Sequence, residues 1–107
     1  MKPFDIFIVY LSWGTGGKAR PVLVYAINAE LVRIFPITTQ YENKSEAIKA
    51  RYFKINDWAQ AGLNAQSYLD TGTRFTQPLS LFDTIKPIGS LTDADKHRLI
   101  EFVQRGK

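Results

Sequence analysis

Cysteine is absent from these 107 residues, and the chain carries one histidine, His97, and one methionine, Met1. Without thiols there can be no disulfide and no thiolate-bound metal cluster, which is compatible with a reducing, cytoplasmic setting. A lone histidine leaves a conventional zinc site short of ligands, and no cofactor is expected. No apolar run approaches the roughly 18 residues that a membrane span needs. The opening stretch MKPFDIFIVYLSW is apolar, but Asp5 interrupts it and it has no small-residue cleavage site. It reads as a first strand rather than a signal peptide. Neither a Ser–His–Asp constellation nor a paired-carboxylate signature stands out. Any catalysis must work without histidine acid–base chemistry, unless the last helix brings His97 to the site. Repeats, linkers and low-complexity tracts are also missing.

What is present is a globular composition, 45% hydrophobic, with a formal net charge of +4. One domain over 1–107 with a single core is the expectation for this length. The positive balance favours an anionic partner such as nucleic acid or an acidic peptide. FDIFIVYL (4–11) is apolar on both alternating faces, which suits a strand buried on two sides. SWGTGGKA (12–19) reads as a glycine-rich loop, RPVLVYAI (20–27) as a second strand with Pro21 at its start or at an edge, and LVRIFPITTQ (31–40) as a third. Pro36 inside that third strand marks an edge, a bulge or the end of regular pairing. Residues 41–49 read as a charged loop and 50–55 as a strand. NDWAQAG is a short helical turn near 57–62 that stops at Gly62. Residues 66–79 read as a strand bulged near Gly72. The last helix is capped by Thr92, with Asp95 three residues on, and Ala94, Leu99, Ile100 and Val103 form its apolar stripe. This order predicts a mainly β (α+β) chain: a small, strongly bent sheet or barrel with a C-terminal helix packed on it.

Chemistry-bearing residues fall in a few places. GTGGKARP is not a phosphate-binding P-loop, because Lys18 is followed by alanine and then by a strand rather than a helix. Arg20 is either a surface ion-pairing residue or a planar cation aimed at a phosphate. Pro21 holds it in extended geometry, beside a loop able to fold over a ligand. Thr38, Thr39 and Gln40 end a strand where barrel side chains reach the rim. They are ordinary strand residues or donors to phosphate and base oxygens. In the charged loop Lys44, Lys49 and Arg51 alternate with Tyr41 and Tyr52. Cations beside rings suit single-stranded nucleic acid, while Glu42 and Glu46 equally suit a solvated loop. Asp70 stands alone in an uncharged stretch, as a turn aspartate or a functional one. His97 falls on the charged face of its helix, towards solvent.

Taken in order, DIFIVYL, KARPVLVY, VRIFPITTQ, AGLNAQSYLDTGTRF and IGSLTDADKHRLIEFV resemble the MazF/PemK (Kid-like) family of type II toxin–antitoxin endoribonucleases over nearly the whole chain. The resemblance implies an SH3-like barrel with a C-terminal helix, usually homodimeric. It implies metal-independent cleavage of single-stranded RNA at short sequences, with the 2′-hydroxyl attacking the adjacent phosphate to leave a 2′,3′-cyclic end. The implied partner is an antitoxin whose acidic tail occupies the same groove. Arg20 then matches the catalytic arginine, Thr38 the catalytic Thr/Ser and Asp70 a catalytic aspartate. Lys18, Thr39, Gln40, Tyr41, Lys44, Lys49 and Arg51 are the expected RNA contacts. Two departures stand out. Tyr68 occupies a position where some relatives carry an arginine paired with the aspartate, and Arg74 is displaced by one residue from the family's spacing. Two other roles remain open: a CcdB-like toxin that poisons DNA gyrase, and a non-catalytic RNA- or peptide-binding barrel.

Overall fold

The computed structural model describes residues 1–73 and 75–106. Arg74, whose displacement was noted above, lies outside them. The chain builds a curled antiparallel half-barrel sheet and closes on a C-terminal helix. Its strands are β1 (Asp5–Trp13), β2 (Gly16–Asn28), β3 (Leu31–Thr38), β4 (Tyr52–Ile55), β5 (Ser67–Asp70), β6 (Phe75–Pro78) and β7 (Gly89–Ser90). They lie in the order β4-β5-β3-β2-β1-β7, with β6 also on β3. A short helix, α1 (Glu46–Lys49), follows β3, and the long helix, α2 (Asp93–Arg105), ends the described chain. No helix among the described residues is long and apolar enough to cross a membrane.

Alternation explains why the first three strands are apolar on both sides. Ile6, Leu23, Phe35 and Ile37 point to one face, where they pack with Phe53, Ile55, Leu69, Leu91 and Leu99. Phe7, Val9, Val22, Val24, Val32 and Ile34 point to the other and meet Phe82. The single core expected from length is therefore two cores, divided by the sheet itself.

Four further expectations change, the first being that the segment 41–49, read as a loop, contains helix α1. The glycine loop at 12–19 is largely not a loop: β1 and β2 pair from Ile6↔Leu23 out to Trp13↔Gly16, leaving a tight turn at Gly14 and Thr15. Gly17 is there for close approach rather than flexibility, because a Cβ on it would collide with the Tyr10 ring. The strand expected over 66–79 is two strands, β5 and β6, separated by a turn at 71–73 rather than joined through a bulge. On α2 the inward residues are Asp95, Leu99, Phe102 and Val103, whereas Ala94 and Ile100 are exposed.

The prolines fall where pairing changes. β2 and β3 pair from Asn28↔Leu31 up to Val22↔Pro36, with a register shift between Ala26 and Val24, and no further, so at Pro21 strand β2 has β1 as its one neighbour. On its other edge β3 pairs β6 through Leu31–Ile34, then β5 through Ile37–Thr38. Pro36, which has no N–H to give a ladder, occupies that exchange of partners.

Residues 57–62 form one helical turn, with Ala61 N–H bonded to Asp57 O at 3.1 Å. It ends with Gly62 at φ +94. Leu63 N–H donates to Trp58 O and Gly62 N–H to Ala59 O, the bonds of a Schellman stop. This turn and α2 are tied together by a buried polar knot. Thr92 Oγ1 accepts from Asp95 N and donates to Asp57 Oδ2 at 2.8 Å, so the expected N-cap is present. The Asp95 carboxylate does not close a capping box on Thr92. Instead it accepts from Asp57 N at 2.8 Å and from Arg98 Nη1 at 2.7 Å. Asp95 is 1% exposed, so its charge depends on those donors. Replacing it with alanine (Asp95→Ala) is expected to lower unfolding free energy in urea by about 2–3 kcal/mol and to release the 57–62 turn from the helix.

Candidate phosphate-binding groove

Beyond Val22 and Pro36 the strands β2 and β3 part, and the gap between them is the groove. Directly opposed residues share a face, and alternate residues along a strand share it too. Arg20 lies opposite Val9 and two residues before Val22, so it projects on the Val22 side. Val22 opposes Pro36, which puts Thr38 on that same side. Thr38 opposes Tyr68, and Asp70 opposes Tyr52. The sheet register therefore collects Arg20, Thr38, Tyr52, Tyr68 and Asp70 from four strands on one surface.

Two hollows flank the parting. One, of about 220 Å³, is bordered by Arg20, Pro36, Thr38, Gln40, Lys44, Tyr52, Asp70, Thr73 and Phe75. The other, of about 190 Å³, is bordered by Lys18, Arg20, Thr38, Thr39 and Gln40 among others. Arg20, Thr38 and Gln40 belong to both, so they form the sill between the hollows. The expected residues Lys18, Arg20, Thr38, Thr39, Gln40, Lys44 and Asp70 are thus brought together.

Local bonding prepares several of these groups. Thr38 Oγ1 accepts from Gln40 N at 3.0 Å, which bends the chain off β3 and leaves the hydroxyl hydrogen to be donated. Asp70 is a turn aspartate: Oδ1 accepts from Gly72 N at 3.0 Å and Thr73 N at 3.2 Å, and Oδ2 accepts from Thr73 Oγ1 at 2.6 Å. Half-buried Arg20 has no carboxylate within 4.0 Å among the described residues. Its charge is left for something outside the chain.

Tyr41, Lys49 and Arg51 border neither hollow. Tyr41 is stacked on Tyr68, with centroids 4.3 Å apart and planes 8° from parallel. Lys49 Nζ lies 5.1 Å from the Tyr41 centroid and within 4.0 Å of both Glu42 and Glu46. Two exposed glutamates thus flank that lysine at long range, which follows from the mixed signs of the 41–49 segment. Arg51 sits on the far side of the 70–73 turn.

Tyr52, expected as a ring beside the loop cations but not among the RNA contacts, borders the groove. Burial, followed by the negative charge of Asp70, pushes its phenol above the usual 10.0, while Arg20 and Arg51 pull the other way. It therefore faces the groove as a neutral O–H donor at physiological pH. A signal was available: in YFKI the polar residues Tyr52 and Lys54 alternate with buried Phe53 and Ile55.

No protein-family model and no curated protein matches the chain. Among solved structures, the Mycobacterium tuberculosis toxin MazF-mt6 superposes with a TM-score of 0.69 at 25% sequence identity. The match covers 94% of this chain and 93% of that one. The fold is MazF-like.

The raised phenol has a measurable consequence. An unfolded tyrosine ionises near its ordinary value, so folded Tyr52 holds its proton to higher pH. Its contribution to stability is complete below about pH 10 and is lost as pH climbs from the unfolded to the folded value. Ultraviolet titration of the wild type minus Tyr52→Phe is expected to give a phenolate step displaced upward from 10.0. Subtraction that yields an ordinary or lowered step removes this account of Tyr52.

Proposed function

We propose that the protein is a sequence-specific, metal-independent endoribonuclease toxin acting on single-stranded RNA. The observation that carries this reading is the unpaired Arg20 guanidinium on the sill with Thr38, inside a MazF-like fold. Nearly every polar group around that sill can give a hydrogen: Arg20, Gln40, Lys44, Tyr52 and the Thr38 hydroxyl. A wall of donors with one carboxylate, Asp70, fits an anion with several acceptor oxygens, and a phosphodiester is such a group.

In the proposed step the ribose 2′-oxygen bonds to phosphorus and the bond to the 5′-oxygen breaks. The 2′-hydroxyl proton leaves to an acceptor, and a proton is gained by the departing 5′-oxygen. The products are a 2′,3′-cyclic phosphate and a 5′-hydroxyl. Negative charge grows on the non-bridging oxygens as phosphorus becomes five-coordinate. A fixed guanidinium in a partly dehydrated groove stabilises that state more than the ground state. Arg20 has this role, and Thr38 donates to the same oxygens. Neutral Tyr52 stands as a donor on the opposite wall. Asp70 fixes the 70–73 turn and polarises the Tyr52 phenol. A guanidinium is permanently protonated and is not the acceptor of the 2′-hydroxyl proton.

The same cationic groove is proposed to take the acidic segment of an antitoxin. A homodimer is proposed along β1, where β7 covers Asp5 and Ile6 and leaves the rest of that edge without a strand. Exposed Ile8 and Tyr10 stand on the same strand, and an open apolar edge of this length is a pairing site for a second copy.

Purified protein incubated with a long single-stranded RNA in EDTA is expected to cut at a short recurrent sequence and leave cyclic phosphate ends. Arg20→Ala should lower the cleavage rate by roughly 10²–10³-fold, with RNA binding weakened far less. Binding without cleavage by the wild type identifies a non-catalytic RNA-binding barrel and overturns the proposal.

A further inference from the structure

A hollow of about 460 Å³ lies outside the groove. It opens on the other side of the wall formed by Arg51 and the 70–73 turn. Arg33, Arg51 and Arg105 border it, with Phe35 and Phe102 among its apolar walls and no acidic side chain among the described residues of its lining. Among the described residues neither Arg33 nor Arg51 has a carboxylate within 4.0 Å. Arg105 reaches Glu101 at 3.8 Å, but both ends are largely in water, where such a pair is weak. Three guanidiniums with so little countercharge repel one another, and an anion in the hollow relieves that repulsion.

The dividing wall is thin and firmly held. Arg51 and Thr71 border this hollow, while their chain neighbours Tyr52 and Asp70 border the groove. Thr71 donates twice to Arg51 O, from N at 3.1 Å and from Oγ1 at 2.6 Å. Gly72 lies so close to Arg51 that a Cβ would come within 2.6 Å of its Cδ. Both Arg51, which borders the hollow, and Arg20, which borders the groove, act electrostatically on the Tyr52 phenol.

We infer that this hollow is a second nucleotide subsite, taking a flanking nucleotide of the same single-stranded RNA whose scissile phosphate rests at Arg20. The inference rests on the ribonuclease reading. The flanking phosphate engages the arginines, and its base lies against the Phe102 wall. Phosphate forks beside an apolar, aromatic surface are what a nucleotide needs in place of water. Continuity with the groove across one turn favours RNA over an acidic peptide, whose carboxylates would use the arginines and leave the aromatic wall idle.

The test uses a single-stranded RNA with a mapped cleavage site, shortened stepwise from either end, and the double variant Arg33→Ala/Arg105→Ala. For the wild type, one truncation step on one side is expected to raise KM by roughly 5- to 100-fold, the worth of one stacked base. In the variant that step should have little effect. Affinity for the full-length RNA, blocked by a 2′-deoxy sugar at the scissile position, should fall in the variant. The slope of log affinity against log salt should also become shallower by about 0.7, for one lost phosphate contact. Arg105→Glu should weaken the blocked RNA further. If wild type and variant show the same length dependence while both cleave, the subsite is overturned and the ribonuclease reading stands. A variant that loses affinity for a polyglutamate peptide but keeps it for the blocked RNA overturns the subsite in favour of a peptide site. Failure of the wild type to cut any of these RNAs overturns both readings.

Discussion

The architecture depends on one strand serving three partners. β3 pairs β2 along one edge, and along the other it pairs first β6 and then β5. A regular strand cannot do this without a break, and the break is placed at Phe35 and Pro36. Pro36 gives up no ladder bond because it has none to give, while its ring stays buried in the sheet. Once β3 has turned to β5, β2 is left with β1 alone. The space between the parted strands is the groove, and the residues on its sill are simply the next ones along: Arg20 past Val22, and Thr38 past Pro36.

This geometry carries an electrostatic cost that the two cores offset. Among the described residues Arg20, Arg33 and Arg51 have no carboxylate within 4.0 Å, whereas Lys49, Lys96 and Arg98 each have one. Arg20 and Arg51 lie on the two sides of the 70–73 wall, and the paired Lys96 and Arg98 lie on α2. Polar bonding follows the same division. The Asp57–Thr92–Asp95 knot ties α2 to the body of the sheet, while the groove keeps donors in reserve. Sites that violate local satisfaction in this way are where binding is expected.

Much of this was legible in the residues. Two-faced apolar strands, a proline in the third strand, the stop at Gly62 and the Thr92 cap all correspond to observed elements. Arg20 stood out because Pro21 holds it extended beside a glycine-rich stretch, and Thr38 because it ends a strand at the rim. Misreadings came where one residue type has two uses. Glycines at 14–17 looked like a loop, yet Gly17 is a strand residue that makes room for Tyr10, and such close packing has no one-dimensional signature. Gly72 suggested a bulge, whereas the turn there lets β5 and β6 find different places along β3. Asp95 looked like a capping-box residue and proved to be a buried link to a turn 38 positions away. Long-range pairing of this kind is set by the fold, and no local pattern reports it. The Arg33–Arg51–Arg105 hollow escaped notice for the same reason.

Position 68 shows how far the resemblance carries and where the chain's own structure takes over. An arginine there would lie opposite Thr38 and on the strand face of Asp70, adding a second guanidinium to the sill. Tyr68 brings none. Its ring is stacked on Tyr41, which in turn lies beside Lys49, so the position has become a packed wall instead of a charged contact. The cationic work near the sill falls to Arg20, with Lys44 across the hollow and Arg51 just behind the turn. Charge lost from β5 thus has its counterpart on the flank of β4, where Arg51 faces the second hollow. On the proposed reading a substrate held by these groups passes over the 70–73 turn rather than along β5, a route that joins the groove and the hollow in one surface.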